Sequence, residues 1–291
     1  MHWNKKRFFT ALAATAAVVG FSLAGTLGWQ HLKAAQAATN DKKTLVVATP
    51  GDMYASSFHD KKGHLTGYEV EIARQVAKGL GMKVEFKELN VAGELTAVAS
   101  GKADLAAGNF NLSSVYAKRY LFSTPYKYSF GGLLVRAKDQ SGIHSWSDLK
   151  GKKSAGEAGT SNQRFAQFMG AKLVNYDSAN GLMNDVANGK TDFIPNDYYG
   201  LSTGMKRSKI QGLTMAKGLY YRTNLMGKGI GFLINKHEPS LQKKINKELA
   251  KLQKDGTLSK IMIKYYGHDL TKKPADKDVK YFKVPASVKG E

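Results

Sequence analysis

The sequence contains no cysteine among its 291 residues. This absence excludes disulfide bonds, thiolate metal sites, a cysteine nucleophile and a lipid-modified N-terminal cysteine. Acidic residues are also scarce, because 23 Asp and Glu stand against 44 Lys and Arg, which gives a formal net charge of +21. Such an excess of positive charge attracts polyanions, which include nucleic acid, anionic membranes and acidic cell-wall polymers.

Motifs for metal binding and for acyl transfer are missing as well. None of the seven histidines forms the i, i+4 helical pair of zinc hydrolases, and the sequence has no G-x-S-x-G. We therefore expect no metal ion and no cofactor, although these absences do not exclude catalysis by paired carboxylates.

The first 37 residues have the order of a secretory signal. A basic cluster at residues 5–7 precedes an uncharged apolar run at 8–28, and Ala35-Gln36-Ala37 forms an A-x-A cleavage site. The run is also about the 20 residues that a membrane anchor needs, so a retained anchor is the alternative. Both interpretations, a cleaved signal and a retained anchor, predict an extracytoplasmic protein that is secreted or attached at the outer face of the membrane. Neither interpretation favours nucleic acid as a partner. Cleavage would leave a net charge of +17.

The chain after residue 43 alternates strand and helix patterns. Residues 44–49 form a short apolar run that ends at Pro50 and Gly51, which predicts a buried strand. Residues 68–80 carry apolar side chains at helical spacing and precede Gly81, which predicts an amphipathic helix. This alternation favours an α/β fold with largely parallel sheets.

An internal repeat is more informative. Residues 95–104, LTAVASGKAD, resemble residues 183–192, MNDVANGKTD, at a constant offset of 88. Each segment predicts a helix that ends at glycine and a turn that leads into a strand. Asn109 and Asp197 follow at matching places, at the carboxyl ends of these strands, where open α/β sheets bind ligands. The repeat predicts two similar lobes.

The turn at residues 159–162, GTSN, opens a helix and can point backbone N–H groups at an anion. A plain helix cap is the simpler interpretation of this turn. Together with Asp197 at the matching strand end, the turn would supply what a free amino acid needs, namely an acid for its ammonium and donors for its carboxylate.

Several segments together resemble the extracytoplasmic solute-binding proteins of ABC transporters, in the polar amino acid group. The segments are GYEVE at 67–71, GKAD at 101–104, LFSTPY at 121–126, DLKGKK at 148–153, GT at 159–160, DGT at 255–257 and KYYG at 264–267. The resemblance spans residues 45 to about 267. It implies a two-lobed, type II periplasmic-binding-protein-like fold, a ligand in the cleft between the lobes, and delivery of that ligand to a membrane permease.

The resemblance also assigns site residues. It implies that Asp197 holds the ligand's α-ammonium and that Ser161 and Asn162 contact its carboxylate. The other implied contacts are Asp52, Tyr54, Asn109 and Asn111.

The carboxylate contact departs from the family pattern. The family usually has an arginine where this sequence has Tyr116, which can donate only one neutral hydrogen bond. Arg119 lies three residues further along the same predicted helix and is a candidate replacement. Alternatively, the protein does not bind an ordinary α-amino acid.

These observations predict a monomeric binding protein, not an enzyme, that captures a small solute, an amino acid or a derivative, and delivers it to an ABC importer. Two alternatives are adhesion to anionic wall or host polymers through the basic surface, and a small-carboxylate dehydratase with Glu157 as its acid/base group. The expected segments are a signal or anchor (1–37), a linker (38–43), the first lobe (44–135 and 228–284), the second lobe (136–227) and a tail (285–291).

Overall fold

The computed structural model describes residues 43–179, 181–275 and 278–290, apart from the side chain of Val115. The expected signal or anchor, and the linker except Lys43, lie outside the described residues. In the described part, no helix has the length and apolar character to cross a membrane.

The strands alternate with helices along most of the chain, as predicted. The strands are β1 (Thr44–Thr49), β2 (Asp52–Met53), β3 (Ser57–His59), β4 (Leu65–Thr66), β5 (Lys83–Glu88), β6 (Leu105–Ala106), β7 (Tyr120–Phe122), β8 (Gly131–Arg136), β9 (Lys153–Gly156), β10 (Lys172–Asn175), β11 (Phe193–Asp197), β12 (Leu213–Met215), β13 (Tyr220–Thr223), β14 (Leu233–Asn235) and β15 (Val279–Phe282). The α-helices are α1 (Tyr68–Gly79), α2 (Val91–Ala99), α3 (Ser114–Ala117), α4 (Ser161–Phe168), α5 (Leu182–Ala187), α6 (Tyr198–Ser208), α7 (Pro239–Lys254) and α8 (Thr257–Tyr266).

Two main sheets form the two lobes of the α/β fold. The first sheet has the order β5-β1-β6-β14-β7, and the second has β10-β9-β11-β8-β13-β15 with β12 paired to β8. Strand β1 is parallel to β5 and β6, whereas β14 is antiparallel to its neighbours. The mixed sheets and the repeat units in separate sheets agree with the fold class predicted from the sequence.

Each central strand faces a core on both sides. In β1, Leu45 and Val47 are buried with α1, α7 and α8, while Ala48 is buried on the opposite face against α2. In β8, Leu133 and Leu134 divide in the same way between two clusters of the second lobe. Because successive strand residues point to opposite faces, a continuous apolar run marks a strand that is covered on both faces.

Two chain segments cross between the sheets side by side. One joins β7 to β8 and the other joins β13 to β14, and they pair where Ile230 N donates to Lys127 O at 2.8 Å. Tyr126 N also donates to Ile230 O at 3.0 Å. This pairing fixes the backbone of Lys127 at the junction of the lobes.

The structure differs from the expected lobe boundaries at two strands. Strand β8 (131–136) was expected to end the first lobe, and β15 (279–282) was expected to complete it, but both belong to the second sheet. Strand β15 pairs in parallel with β13, because Phe282 packs against Trp146 and Phe165 with ring centroids 5.0 and 5.3 Å apart. The chain therefore returns to the second lobe after α8.

Candidate functional site

The last residue of each repeat unit, an aspartate, makes the same hydrogen bond to the sheet of its own lobe. The Asp104 carboxylate accepts a hydrogen bond from Val46 N at 2.8 Å, and the Asp192 carboxylate accepts one from Lys153 N at 2.8 Å. Each bond joins the strand that follows the repeat to the first parallel strand of its lobe. The two strands thereby deliver Asn109 and Asp197 to the space between the lobes.

Asn109 and Asp197 meet at the side chain of Lys127, which is completely buried. The Lys127 ammonium lies 3.2 Å from Asp197 Oδ2 and donates to Asn109 Oδ1 and to the Tyr266 hydroxyl, each at 3.1 Å. It also lies 5.1 and 4.6 Å from the ring centroids of Tyr68 and Tyr266. A carboxylate, two neutral oxygens and two aromatic faces thus surround one cation.

Sequence reasoning missed Lys127. The segment that carried the family resemblance, residues 121–126, ends one position before it. A lysine directly after an apolar, proline-containing segment was the available signal. Lysine is almost never fully buried unless it is paired, so its partners matter more than its type.

Both carboxylate oxygens of Asp197 have neighbours. Oδ2 faces Lys127, and Oδ1 accepts from Gly200 N at 2.6 Å, which caps the first turn of α6. Asp197 is the last residue of β11 and is 7% exposed. The predicted ammonium acceptor therefore forms an ion pair with Lys127, while its buried Oδ2 accepts no hydrogen bond from the described residues.

Asn109 is held in place by a buried carboxylate. Its backbone has φ 56°, in the left-handed region, and its N–H donates to Glu69 Oε2 at 2.6 Å. Ser56 and Tyr126 also donate to Glu69, and the Tyr68 hydroxyl donates to Asn109 Oδ1 at 2.7 Å. Burial raises the pKa of Glu69, and these hydrogen bonds oppose the rise. Glu69, an acid in the first turn of α1, therefore does more than favour the positive end of that helix.

The opposite wall is the start of α4. Thr160 caps this helix, because its side chain accepts from Gln163 N at 3.3 Å. Ser161 is buried, and Asn162 donates to Asn196 Oδ1 at 3.0 Å while it accepts from the Tyr221 hydroxyl at 3.2 Å. The side chain of Asn162 is thus engaged within the second lobe.

Residues of the C-terminal tail form hydrogen bonds with the same turn and with α4. Gly159 N donates to Gly290 O at 2.9 Å, and Gly290 N donates to Gln167 Oε1 at 2.8 Å. Arg164 donates to Val288 O at 2.9 Å. The N–H of Gly159 is consequently occupied, so the anion-binding capacity of this turn rests on the backbone of Ser161 and Asn162.

Two contacts connect the lobes across the cleft. Asp52 Oδ2 accepts from Ala179 N at 3.0 Å. The Arg207 guanidinium of α6 lies 4.6 Å from the ring centroid of Tyr54 and 5.5 Å from that of Phe58. The two lobes therefore touch each other on this side of the cleft.

Glu157 is the acid at the second-lobe side of the cleft. Burial, with a smaller contribution from the negative charge of Asp52, raises the pKa of Glu157 from 4.5 to about 7. A carboxyl group with this pKa changes its charge near neutral pH.

Tyr116 and Arg119 lie in different environments. Tyr116 is 7% exposed and packs edge-on against Phe110 at 5.6 Å, and burial raises its pKa to about 12. Arg119 is exposed and lies 5.9 Å from the ring centroid of Tyr120. Arg119 is not among the residues that line the cleft cavities described here, whereas Tyr116 is.

The cleft contains two adjoining cavities. The larger has a volume of about 460 Å³ and is lined by residues of both lobes, among them Asp52, Tyr54, Asn109 and Asp197. The smaller, of about 100 Å³, is lined by Asn109, Asn111, Tyr116, Glu157, Ser161 and Asn162, among others. Asn109 and Asn196 line both cavities. The structure thus brings every predicted contact except Arg119 to one cleft. Among the described residues, no group of three or more metal-ligating side chains lies together.

Comparisons with known proteins agree with this architecture. The chain is 40% identical over 257 residues to the probable ABC transporter extracellular-binding protein YckB of Bacillus subtilis, which covers 87% of this chain and 86% of that protein. It is 31% identical to the L-cystine-binding protein TcyJ of Escherichia coli K12, with 80% and 86% covered. An ancestral arginine-binding protein bound to arginine superposes with a TM-score of 0.71 at 29% identity, covering 78% of this chain and 99% of that one.

These relatives are named as binding proteins, which supports solute binding rather than the adhesion or dehydratase alternatives. The profile of the bacterial extracellular solute-binding proteins, family 3, matches residues 45–268. The chain belongs to this family of extracytoplasmic solute-binding proteins.

Proposed function

We propose that this protein captures an amino acid-like solute in the cleft between its lobes and delivers it to the permease of an ABC importer. The observation that carries the proposal is the cavity of about 460 Å³, built from both lobes around the polar side chains of Asn109 and Asp197. This volume is in the range of small-molecule sites. Relatives named for L-cystine and arginine support the same class of solute.

The proposed contacts divide between the two ends of the solute, and Asp197, which lines the larger cavity, receives its ammonium end. The backbone N–H groups of Ser161 and Asn162, at the start of α4, receive its anionic end. Tyr116 adds one hydroxyl at the same cavity, and Asn111 and Asn109 add polar groups from the first lobe. Tyr54 covers the solute from the larger cavity, beside Asp52.

The remaining parts of the proposal concern location and partners. The protein works as a monomer outside the cytoplasmic membrane, released or anchored according to whether residues 1–37 are cleaved. Its excess of positive charge also draws it to anionic cell-wall polymers, and this attraction is screened within about 10 Å at 0.1 M salt. Solute binding in the buried cleft should be much less sensitive to salt.

A thermal-shift screen of residues 38–291 against amino acids and their derivatives tests the proposal. A solute at 100 times its Kd should stabilise the protein by about 2.7 kcal/mol. The variant Tyr54→Ala should weaken the response, because Tyr54 lines the cavity. The matched control is Tyr281→Ala, since Tyr281 is 63% exposed and lies away from the cleft cavities. Equal responses of the two variants would contradict the proposed site.

A further inference from the structure

Two carboxylate oxygens in the larger cavity share one property. Asp52 Oδ1 and Asp197 Oδ2 are both buried, and neither accepts a hydrogen bond from the residues that the structure describes. Both residues line the cavity of about 460 Å³, and Asp197 is 7% exposed. A buried acceptor without a donor is costly, especially on a charged group. Each of these oxygens is therefore suited to a donor on the solute.

The other oxygen of each carboxylate is bound to the backbone. Asp197 Oδ1 accepts from Gly200 N at 2.6 Å, and Asp52 Oδ2 accepts from Ala179 N at 3.0 Å. Each carboxylate is thus anchored through one oxygen, and this bond fixes its orientation before a solute arrives.

The two acids differ in the charges nearby. Asp197 Oδ2 lies 3.2 Å from the ammonium of Lys127, which balances part of its charge. The negative charge of Asp52 instead acts on another acid, because it contributes to the raised pKa of Glu157. A cation beside Asp52 would relieve the repulsion between these two acids.

The lining of the cleft has the opposite sign of charge to the protein as a whole. Asp52, Glu157 and Asp197 line the two cavities, whereas Arg207 is the one basic residue of the described chain that lines either of them. The whole sequence, by contrast, has 44 basic and 23 acidic residues. A cleft lined by one sign of charge concentrates solutes of the opposite sign.

Apolar side chains line the same cavity. Leu182, Met183 and Leu201 of the second lobe contribute to its wall. Such a wall suits the methylene groups of a long side chain, whose charged end stays with a polar partner. The larger cavity thus combines two acceptors for cations with an apolar surface.

We infer that the solute carries a second cationic group on its side chain, and that Asp52 receives this group while Asp197 receives the α-ammonium. The substrate class is then the basic amino acids, with an ammonium or a guanidinium at the end of the side chain. This inference rests on the proposed function, and it makes Asp52 a specificity-determining residue.

The first experiment compares two pairs of solutes by isothermal titration calorimetry on the wild-type protein. L-arginine is paired with L-citrulline, which has the same length and a neutral urea group, and L-lysine is paired with L-norleucine, which lacks the terminal ammonium. At least one basic solute should bind roughly 30-fold more tightly than its neutral partner, because a buried acid without its cation loses at least about this factor.

The same titrations separate the inference from the proposed function. Neutral solutes that bind as tightly as the basic ones would overturn the inference and leave the proposed function standing. If no amino acid of any charge binds, the proposed function fails and the inference fails with it.

The second experiment removes the charge of Asp52. Asp52→Asn keeps an oxygen for Ala179 N, and it should bring the affinities for the basic solute and its neutral partner to near parity. Asp197→Asn should instead weaken both members of a pair, since both carry the α-ammonium. Asp139→Asn is the matched control, because Asp139 is exposed, lines neither cavity and also accepts a backbone N–H, from Ser141 at 2.9 Å.

The preference for the basic solute is a ratio measured within one variant, so a fraction of unfolded protein does not change it. An unchanged preference in Asp52→Asn would overturn the inference, because the second cation would then lie elsewhere. An equal loss of preference in Asp139→Asn would also overturn it, since net charge rather than the site would then decide the preference.

Discussion

Asp104 and Asp192, 88 positions apart, each accept a backbone N–H from the first parallel strand of their own lobe, at the same distance of 2.8 Å. Asp104 N and Asp192 N return the bond by donating to Val46 O and Lys153 O. Each carboxylate therefore closes a two-bond bridge between neighbouring strands, and the repeated sequence encodes a repeated contact.

We expect Asp104→Ala and Asp192→Ala to destabilise the protein by about 1.5–3 kcal/mol each, the usual value of a hydrogen bond to a charged group. Asp104→Ala should cost more, because Asp104 is 3% exposed while the Asp192 side chain is 21% exposed. Urea unfolding followed by circular dichroism measures both. Glu85→Ala, which removes an exposed acid of β5, is the control. Stabilities equal to that of the control would contradict the bridge.

The contact between Arg207 and Tyr54 predicts a role in closure. Arg207→Ala should weaken solute binding about 2- to 5-fold, since an exposed cation–π contact contributes about 0.5–1 kcal/mol. Isothermal titration calorimetry measures the affinity, and small-angle scattering should detect a larger radius of gyration without solute. Lys206→Ala, the exposed neighbour on α6, should behave like the wild type. A loss as large in Lys206→Ala would indicate a general charge effect instead.

Glu157 predicts a pH dependence. Because folding raises its pKa from 4.5 to about 7, the folded state holds more protons than the unfolded state between these values. Stability should therefore fall as pH rises from about 4.5 to about 7, by up to about 3 kcal/mol from this group.

Glu157→Gln should remove that part of the pH dependence. Glu94, a buried carboxyl group whose pKa burial also raises, contributes in the same direction, so the difference between wild type and variant is the informative quantity. Urea unfolding at several pH values measures it. An anionic solute should also bind more weakly at pH 8 than at pH 6 in the wild type. Parallel curves for the two proteins would refute the assignment.

Tyr116 and Arg119 separate two hypotheses about the missing arginine. Tyr116→Phe should weaken solute binding by about 2- to 12-fold, the effect of one neutral hydrogen bond. Arg119→Ala should change it less than twofold, because Arg119 is exposed and packs on Tyr120. Calorimetry on both variants provides the test. Abolished binding in Arg119→Ala would restore Arg119 as the carboxylate contact.

The sequence predicted the position of the cleft better than it predicted the side chains around it. The repeat located Asn109 and Asp197 at equivalent strand ends, because local turn chemistry and strand order determine those places. It could not indicate that Lys127 lies between them, since a long side chain reaches its partners only after the crossing segments have paired. It also could not indicate that Arg119 points outward, because helical spacing allows both orientations. Strand β15 was missed as part of the second sheet, since residues 268–291 contain few apolar side chains and the packing of Phe282 against aromatic rings is visible only in the folded structure.

The second sheet is complete only when strand β15, the last described strand in the sequence, has been made. The ribosome produces residues 279–282 after every other described strand, so β13 keeps an open edge until they arrive. An open strand edge can pair with another chain, and it is most exposed while synthesis continues. Shortening the chain before residue 279 would therefore endanger the yield of soluble protein first, through association of unfinished lobes. The turn that begins α4 would lose its brace from Gly290 at the same time.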